Sequence, residues 1–189
     1  FLYQDTNSSD FTDATKSITQ DLMKAIEDNE ALAVDIGALK VSDEYTFKHS
    51  VDVATISMIV AKRHGLNEQQ VYEIGIAGLL HDAGLLVCNK QGEKNITLHG
   101  EYENTCGQDH MVYSHNLIKD LDVDIRLKQA VLTHHERMDL SGFPNKLSYK
   151  SLNNVSRVVA LADAYDTLTM DEEGYNAMAP LAALGYMFD

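Results

Sequence analysis

An all-α, multi-helix domain is the fold class that the chain predicts. Apolar residues recur at helical spacing along most of its length, residues with capping side chains open several of these runs, and only 2 of its 189 residues are Pro. The first run spans Phe11 to Asn29, where Ile18, Leu22, Ala25 and Ile26 follow the spacing of one buried helix face. Ser42 and Asp43 offer N-cap oxygens to a second helix from about Glu44 to His64, and Gly65 stands at the C′ position that often closes a helix. The third opens on Asn67, with Gln70 placed to complete a capping box. It runs through Val71, Ile74, Ala77 and Leu80 to His81 and Asp82, with Gly84 as its stop. Cys88 to Glu103, rich in Asn, Lys, Gln and Gly and without sustained period, reads as a loop. Helical patterning resumes from Gln108 to Leu121, from Asp124 to about Met138 and from Leu152 to Met170, with Gly142 and Pro144 punctuating an irregular stretch from Asp139 to Lys150. The apolar tail from Ala177 to Phe188 is expected to dock on the body, with Pro180 in the first turn of a short helix.

Acidic residues outnumber basic ones 29 to 15, a net charge of −14 that weighs against a nucleic-acid polymer as partner and leaves room for a small anionic ligand held locally. A chain of this length closes one sizeable core without disulfide or metal staples, so a metal found here serves function rather than folding. Residues 1–40 read as a lead-in segment and helix, 41–170 as the body, and 171–189 as a C-terminal helix packed on the same domain. The longest apolar stretches, Ile74 to Leu80 and Val158 to Ala162, are too short to insert in a membrane. Two widely spaced thiols, Cys88 and Cys106, and no secretory signal suggest reduced cysteines in the cytoplasm. A first residue of Phe1 suggests a piece of a longer chain.

Among the 8 histidines, His81 directly precedes Asp82 and His134 directly precedes His135, both pairs near predicted helix C-terminal ends where side chains from several helices converge. Neutral imidazoles suit iron, manganese or zinc, and one carboxylate can bridge two such ions. Arg137 and Lys146, beside the second irregular stretch, are candidate contacts for a ligand phosphate. His64 reads as a helix C-terminal residue favoured by the macrodipole, His99 as a loop residue, and His115 as facing away from His110. Tyr165 and Asp166 read as packing residues or neighbours of ligands, and Met23, Met58 and Met170 as core filler.

The run Asp43-Glu44-Tyr45-Thr46-Phe47-Lys48-His49-Ser50, then Leu79-Leu80-His81-Asp82-Ala83-Gly84, His134-His135-Glu136-Arg137, Gly142-Phe143-Pro144 and Ala162-Asp163-Ala164-Tyr165-Asp166 resembles the HD-GYP domain, a branch of the HD metal-dependent phosphohydrolases. The resemblance extends from about Ile26 to Pro180. It implies an HD-type helical bundle with a metal centre in its core, and as ligands His49, His81, Asp82, His110, His134, His135 and Asp163, with Asp82 bridging and catalytic. The wider HD superfamily needs only the equivalents of His49, His81, Asp82 and Asp163 for one metal. The further imidazoles His110, His134 and His135 imply a second, so the cofactors are two divalent transition metal ions, iron first and manganese as the alternative. The implied activity is hydrolysis of cyclic di-GMP to pGpG or GMP by a hydroxide held between the metals.

Several positions depart from the family pattern. Leu85 stands where the family has the lysine of His-Asp-x-Gly-Lys, Phe143 where it has tyrosine, and Tyr45 where three-metal members have glutamate. Gly174-Tyr175-Asn176 replaces a usual Pro-Tyr-Arg. The ligand set is complete while cations that handle phosphate are depleted, which predicts weak hydrolysis. It also keeps open a degenerate module that binds metals or nucleotide and signals through protein partners. A mononuclear nucleotide phosphohydrolase is the third reading.

Overall fold

Six α-helices and no strand make up the described residues, 44–85, 109–120, 123–171 and 176–188, of a computed structural model. The helix predicted from Phe11 to Asn29, the caps Ser42 and Asp43, the loop from Cys88 to Glu103, both cysteines and His99 lie outside these residues. The helices are α1 (Glu44–Arg63), α2 (Glu68–Leu80), α3 (His110–Ile118), α4 (Ile125–Thr133), α5 (Asn154–Thr169) and α6 (Pro180–Phe188), with a 3₁₀ turn at Tyr149–Ser151 before α5.

Local signals set most of the boundaries. Past the end of α1, Gly65 adopts a φ of 75° and its N–H donates to Lys62 O at 3.1 Å, while Leu66 N–H reaches Ala61 O at 3.2 Å, so the last carbonyls are satisfied. Both halves of the α2 capping box form, Gln70 N–H donating to Asn67 Oδ1 at 2.9 Å and Asn67 N–H to Gln70 Oε1 at 3.1 Å. Asp124 caps α4 by accepting from Arg126 N–H at 2.7 Å, and Asn153 caps α5 by accepting from Ser156 N–H at 3.0 Å, which starts α5 two residues later than its apolar pattern suggests.

Three helices end before their predicted limits, α3 at Ile118 rather than Leu121. The third predicted helix stops at Leu80, and His81 to Gly84 form a turn in which Ala83 N–H donates to Leu80 O. The helix expected to reach Met138 stops at Thr133. No breaker marks that point. The polar groups leave the helix ladder instead: Glu136 N–H turns back to Thr133 O at 3.1 Å, and the Glu136 carboxylate reaches across to the following loop.

The core is one cluster. Val53, Ala54, Met58 and Ala61 of α1 meet Val71, Ile74, Ala77 and Leu80 of α2, Leu127, Ala130 and Val131 of α4, and Val155, Val159 and Ala162 of α5, all buried. Helix α2 therefore packs against α1, α4 and α5, and α3 joins through α4. Helix α6 touches α5 and buries Ala183, but leaves Leu181, Tyr186 and Phe188 exposed. None of the described helices is long and apolar enough to cross a membrane.

The turn after α2 is pressed against α3. Gly84 N–H donates to Ser114 Oγ at 2.7 Å, and a β-carbon at Gly84 would overlap the His110 carbonyl oxygen and the Ser114 amide. Gly84→Ala is expected to lower stability by about 1–3 kcal/mol through this overlap. Gly185→Ala, in open space within α6, is expected to raise it by about 0.5–1 kcal/mol. Urea denaturation of the two variants checks the opposite signs.

Candidate metal centre

The centre forms where three helix ends meet two helix interiors. Its residues are His49 from the second turn of α1, His81 and Asp82 directly after α2, His110 at the start of α3, His134 and His135 directly after α4, and Asp163 from mid-α5. All are buried except His135, whose side chain is 14% exposed. Their donor atoms fall into two groups: Asp82, His110, His134 and His135 lie with ligand atoms within 4.8 Å of one another, as do His49, His81 and Asp163.

Asp82 stands between the groups. Its Oδ1 lies 3.2 Å from His110 Nε2 and 3.4 Å from His134 Nε2, while its Oδ2 lies 3.3 Å from His81 Nε2 and 3.9 Å from His49 Nε2. Asp163 also faces both sides, with Oδ1 at 3.3 Å from His49 Nε2 and Oδ2 at 3.7 Å from His135 Nδ1. His110 Nε2 converges on His135 Nε2 at 3.2 Å and on His134 Nε2 at 3.4 Å.

The sequence sets the ring orientations locally. His81 and His134 are each the C-cap residue of a helix, and each donates its Nδ1–H to the carbonyl three residues back, His81 to Gly78 O at 2.7 Å and His134 to Val131 O at 2.8 Å. A helix C-terminus leaves such carbonyls without an amide partner, so the end of the helix fixes the tautomer and turns the Nε2 lone pair inward. In α1 the ladder has no free carbonyl to offer, and Asp166 Oδ2 takes the place, 2.8 Å from His49 Nδ1.

Burial is the largest influence on Asp82, Asp163, His49, His134 and His135 and disfavours charge. At Asp82 it is outweighed by His81, His110 and His134, which hold the carboxyl well below its ordinary range. At Asp163 the contact with His49 and the neighbouring rings of His135 and His81 do the same. Asp163 and Asp166 overcome burial at His49 and raise it to about 10. At His134 and His135 burial prevails, and these imidazoles are held below 6.5.

A cation fits this donor set. His49 Nε2, His81 Nε2 and Asp82 Oδ1 are buried without a hydrogen-bond partner, and His49 Nε2 meets Asp163 at an ion-pair distance without hydrogen-bond alignment. Orphaned buried polar atoms of this kind cost on the order of 1–3 kcal/mol each, and a metal ion is the group that satisfies carboxylates together with imidazole nitrogens, His49 giving up its extra proton to join them.

All seven residues that the resemblance singles out come together. Arg137 lies beside them, its guanidinium tied to the carbonyls of His134 at 3.2 Å and Glu136 at 3.3 Å, whereas Lys146 is exposed in the 142–148 loop with a φ of 51°. His64 is exposed beyond α1, and His115, half-buried on α3, stays outside both groups. Of two further contributors, one was half-read in the sequence and the other escaped it. Asp166 was open between packing and a ligand-side role, and its position one turn past Asp163 is the signal that selects the second. Glu136, buried beside His135, anchors the next loop, and its only mark in the sequence is an acid placed directly after the histidine pair.

The chain matches the HD domain family over residues 22–189. It is 34% identical over 148 residues to a cyclic di-GMP phosphodiesterase of Pseudomonas aeruginosa, an alignment covering 74% of this chain and 34% of that protein. It is 32% identical over 131 residues to 3′3′-cGAMP-specific phosphodiesterase 1 of Vibrio cholerae, covering 67% and 29%. A cyclic di-GMP phosphodiesterase of Thermotoga maritima is 32% identical over 136 residues, covering 67% and 35%. The chain thus spans about a third of the length of these curated relatives.

A raised His49 makes metal uptake pH-dependent with a defined sign. At neutral pH the metal-free imidazole carries the extra proton, and an ion that takes Nε2 expels it, so affinity at the His49 group should rise by up to tenfold per pH unit. His134 and His135 are already neutral there and add no release. Calorimetric titration with Mn(II) near pH 7.5, in buffers of different ionisation enthalpy, should show at least one proton leaving per chain, the one that His49 gives up. Buffer-independent heats would contradict this assignment.

Proposed function

The chain belongs to the HD domain family, in its HD-GYP type, and from that premise we propose that it is a metal-dependent phosphodiesterase hydrolysing cyclic di-GMP or a closely related cyclic dinucleotide in the cytoplasm. One observation carries the reading: the two oxygens of a single buried carboxylate, Asp82, face two different sets of imidazoles. That arrangement supports a pair of ions, with His49, His81 and Asp163 on one, His110, His134 and His135 on the other, and Asp82 touching both. Iron is the first choice and manganese the alternative, since this mixture of imidazole and carboxylate suits both. When bound, the two ions supply a water-derived nucleophile at neutral pH and neutralise charge on the phosphoryl oxygens.

The protein's own groups bind and orient. An anionic dinucleotide approaching a chain of net charge −14 needs local cations, and beyond the metals these are assigned to Arg137 and Lys146. The Arg137 guanidinium is half-buried and tied to two carbonyls next to the histidine pair, so it is held near the reacting phosphate with little freedom to lose. The dry surroundings of Asp82 and Asp163 strengthen each of these charge interactions.

A second reading, a module that binds metals or nucleotide and acts through protein partners, is favoured by Leu85. This residue, 6% exposed, packs where the family has a lysine. Loss of such a cation typically costs a few kcal/mol of transition-state stabilisation, so turnover should be reduced by about 10²–10³ rather than abolished. Anaerobically iron-loaded protein should convert cyclic di-GMP to a linear product above the background of Asp82→Ala, with 3′3′-cGAMP assayed in parallel. Two bound metals with no turnover of either nucleotide would overturn the enzyme and leave the partner-signalling module.

A further inference from the structure

His135 is held differently from His49, His81 and His134. Hydrogen bonds at Nδ1 fix His49, His81 and His134 through Asp166, Gly78 O and Val131 O. Among the described residues no carbonyl or carboxylate accepts a hydrogen bond from the His135 ring, whose Nδ1 lies 3.7 Å from Asp163 Oδ2 and whose Nε2 meets another imidazole, that of His110. Its ring plane is instead constrained by neighbouring rings: the Phe143 centroid lies 4.8 Å away at an interplanar angle of 31°, and that of His134 lies 4.1 Å away at 48°.

Phe143 is in turn located by the loop that carries it. Its N–H donates to the carbonyl of His135 itself at 3.2 Å. The preceding Gly142 presses so closely on residues 135–137 that a β-carbon there would overlap the His135 carbonyl and the Arg137 amide. Further along, the buried Glu136 carboxylate accepts from Asn145 N–H through one oxygen and from Leu147 N–H through the other, both at 2.8 Å. Charge-assisted bonds of this kind are about twice as strong as neutral ones, and two of them fix both position and direction.

We propose that Phe143 is a positioning residue for His135, and that Glu136 is the clasp that keeps Phe143 against it, so that this loop sets the metal affinity of the His110, His134 and His135 end. The inference rests on the two-ion reading. It also accounts for the aromatic at position 143 without the family's hydroxyl, because the contact with His135 is made by the ring.

Equilibrium dialysis against Mn(II) with elemental analysis tests it on the parent chain, Phe143→Leu, Phe143→Tyr and Glu136→Gln. The parent should bind two ions. Phe143→Leu should weaken one of the two dissociation constants by about tenfold or more and leave the other in place, in line with the usual effect of removing a group that orients a ligand. Phe143→Tyr should match the parent, and Glu136→Gln, which keeps one acceptor oxygen, should fall between. Unchanged constants in Phe143→Leu, or equal weakening of both, would overturn the positioning role. If Phe143→Leu does not fold, unchanged constants in Glu136→Gln do the same. A parent that binds fewer than two ions refutes the two-ion reading itself.

Discussion

Two buried carboxylates must be compensated in a chain whose surface is already strongly acidic, and much of the local architecture around them answers that requirement. Asp82 and Asp163 are 3% and 2% exposed, and burial alone would drive both towards neutrality. Five imidazoles arranged around them reverse the direction and keep them ionised. Such an arrangement is costly without a cation, because buried lone pairs are left facing each other. A centre of this kind is better explained by what it binds than by what it adds to folding, since the apolar cluster of α1, α2, α4 and α5 already closes the core.

The fold converts helix ends into ligand geometry. Helices α2 and α4 end on histidines that use the free carbonyls of their own last turns, so stopping the helix and aiming the nitrogen are one event. The tight turn at Gly84 then brings Asp82 beside His110, because Gly84 lies against the first turn of α3. Asp163 and Asp166, three residues apart on α5, address His49 from the same face of the helix, one at Nε2 and one at Nδ1.

Most of this was legible from residue types and spacing, for identifiable reasons. The cap at Asn67 is a local device that acts as its side chain suggests, and Asp124 opens its helix where the pattern places it, whereas the cap at Asn153 moves the start of α5 past its expected limit. The convergence of the seven candidate residues was legible only through resemblance to a family, since nothing in the spacing of His49, His110 and Asp163 says that three helices bring them together. The end of α4 was not legible, because the competing hydrogen bonds of Glu136 reach residues 145 and 147 and depend on tertiary placement. The burial of Leu85 follows from its hydrophobic character, whereas the consequence of losing a lysine there belongs to the chemistry of a bound phosphate.

The central claim is that Asp82 joins two ions in one centre. Electron paramagnetic resonance of the chain loaded with two Mn(II) per molecule tests it most directly, because ions bridged by one carboxylate are magnetically coupled. A coupled spectrum is expected, with the spacing of the manganese hyperfine lines reduced relative to isolated ions, and loss of that coupling in Asp82→Ala. Two independent Mn(II) signals in the fully loaded parent chain would contradict it.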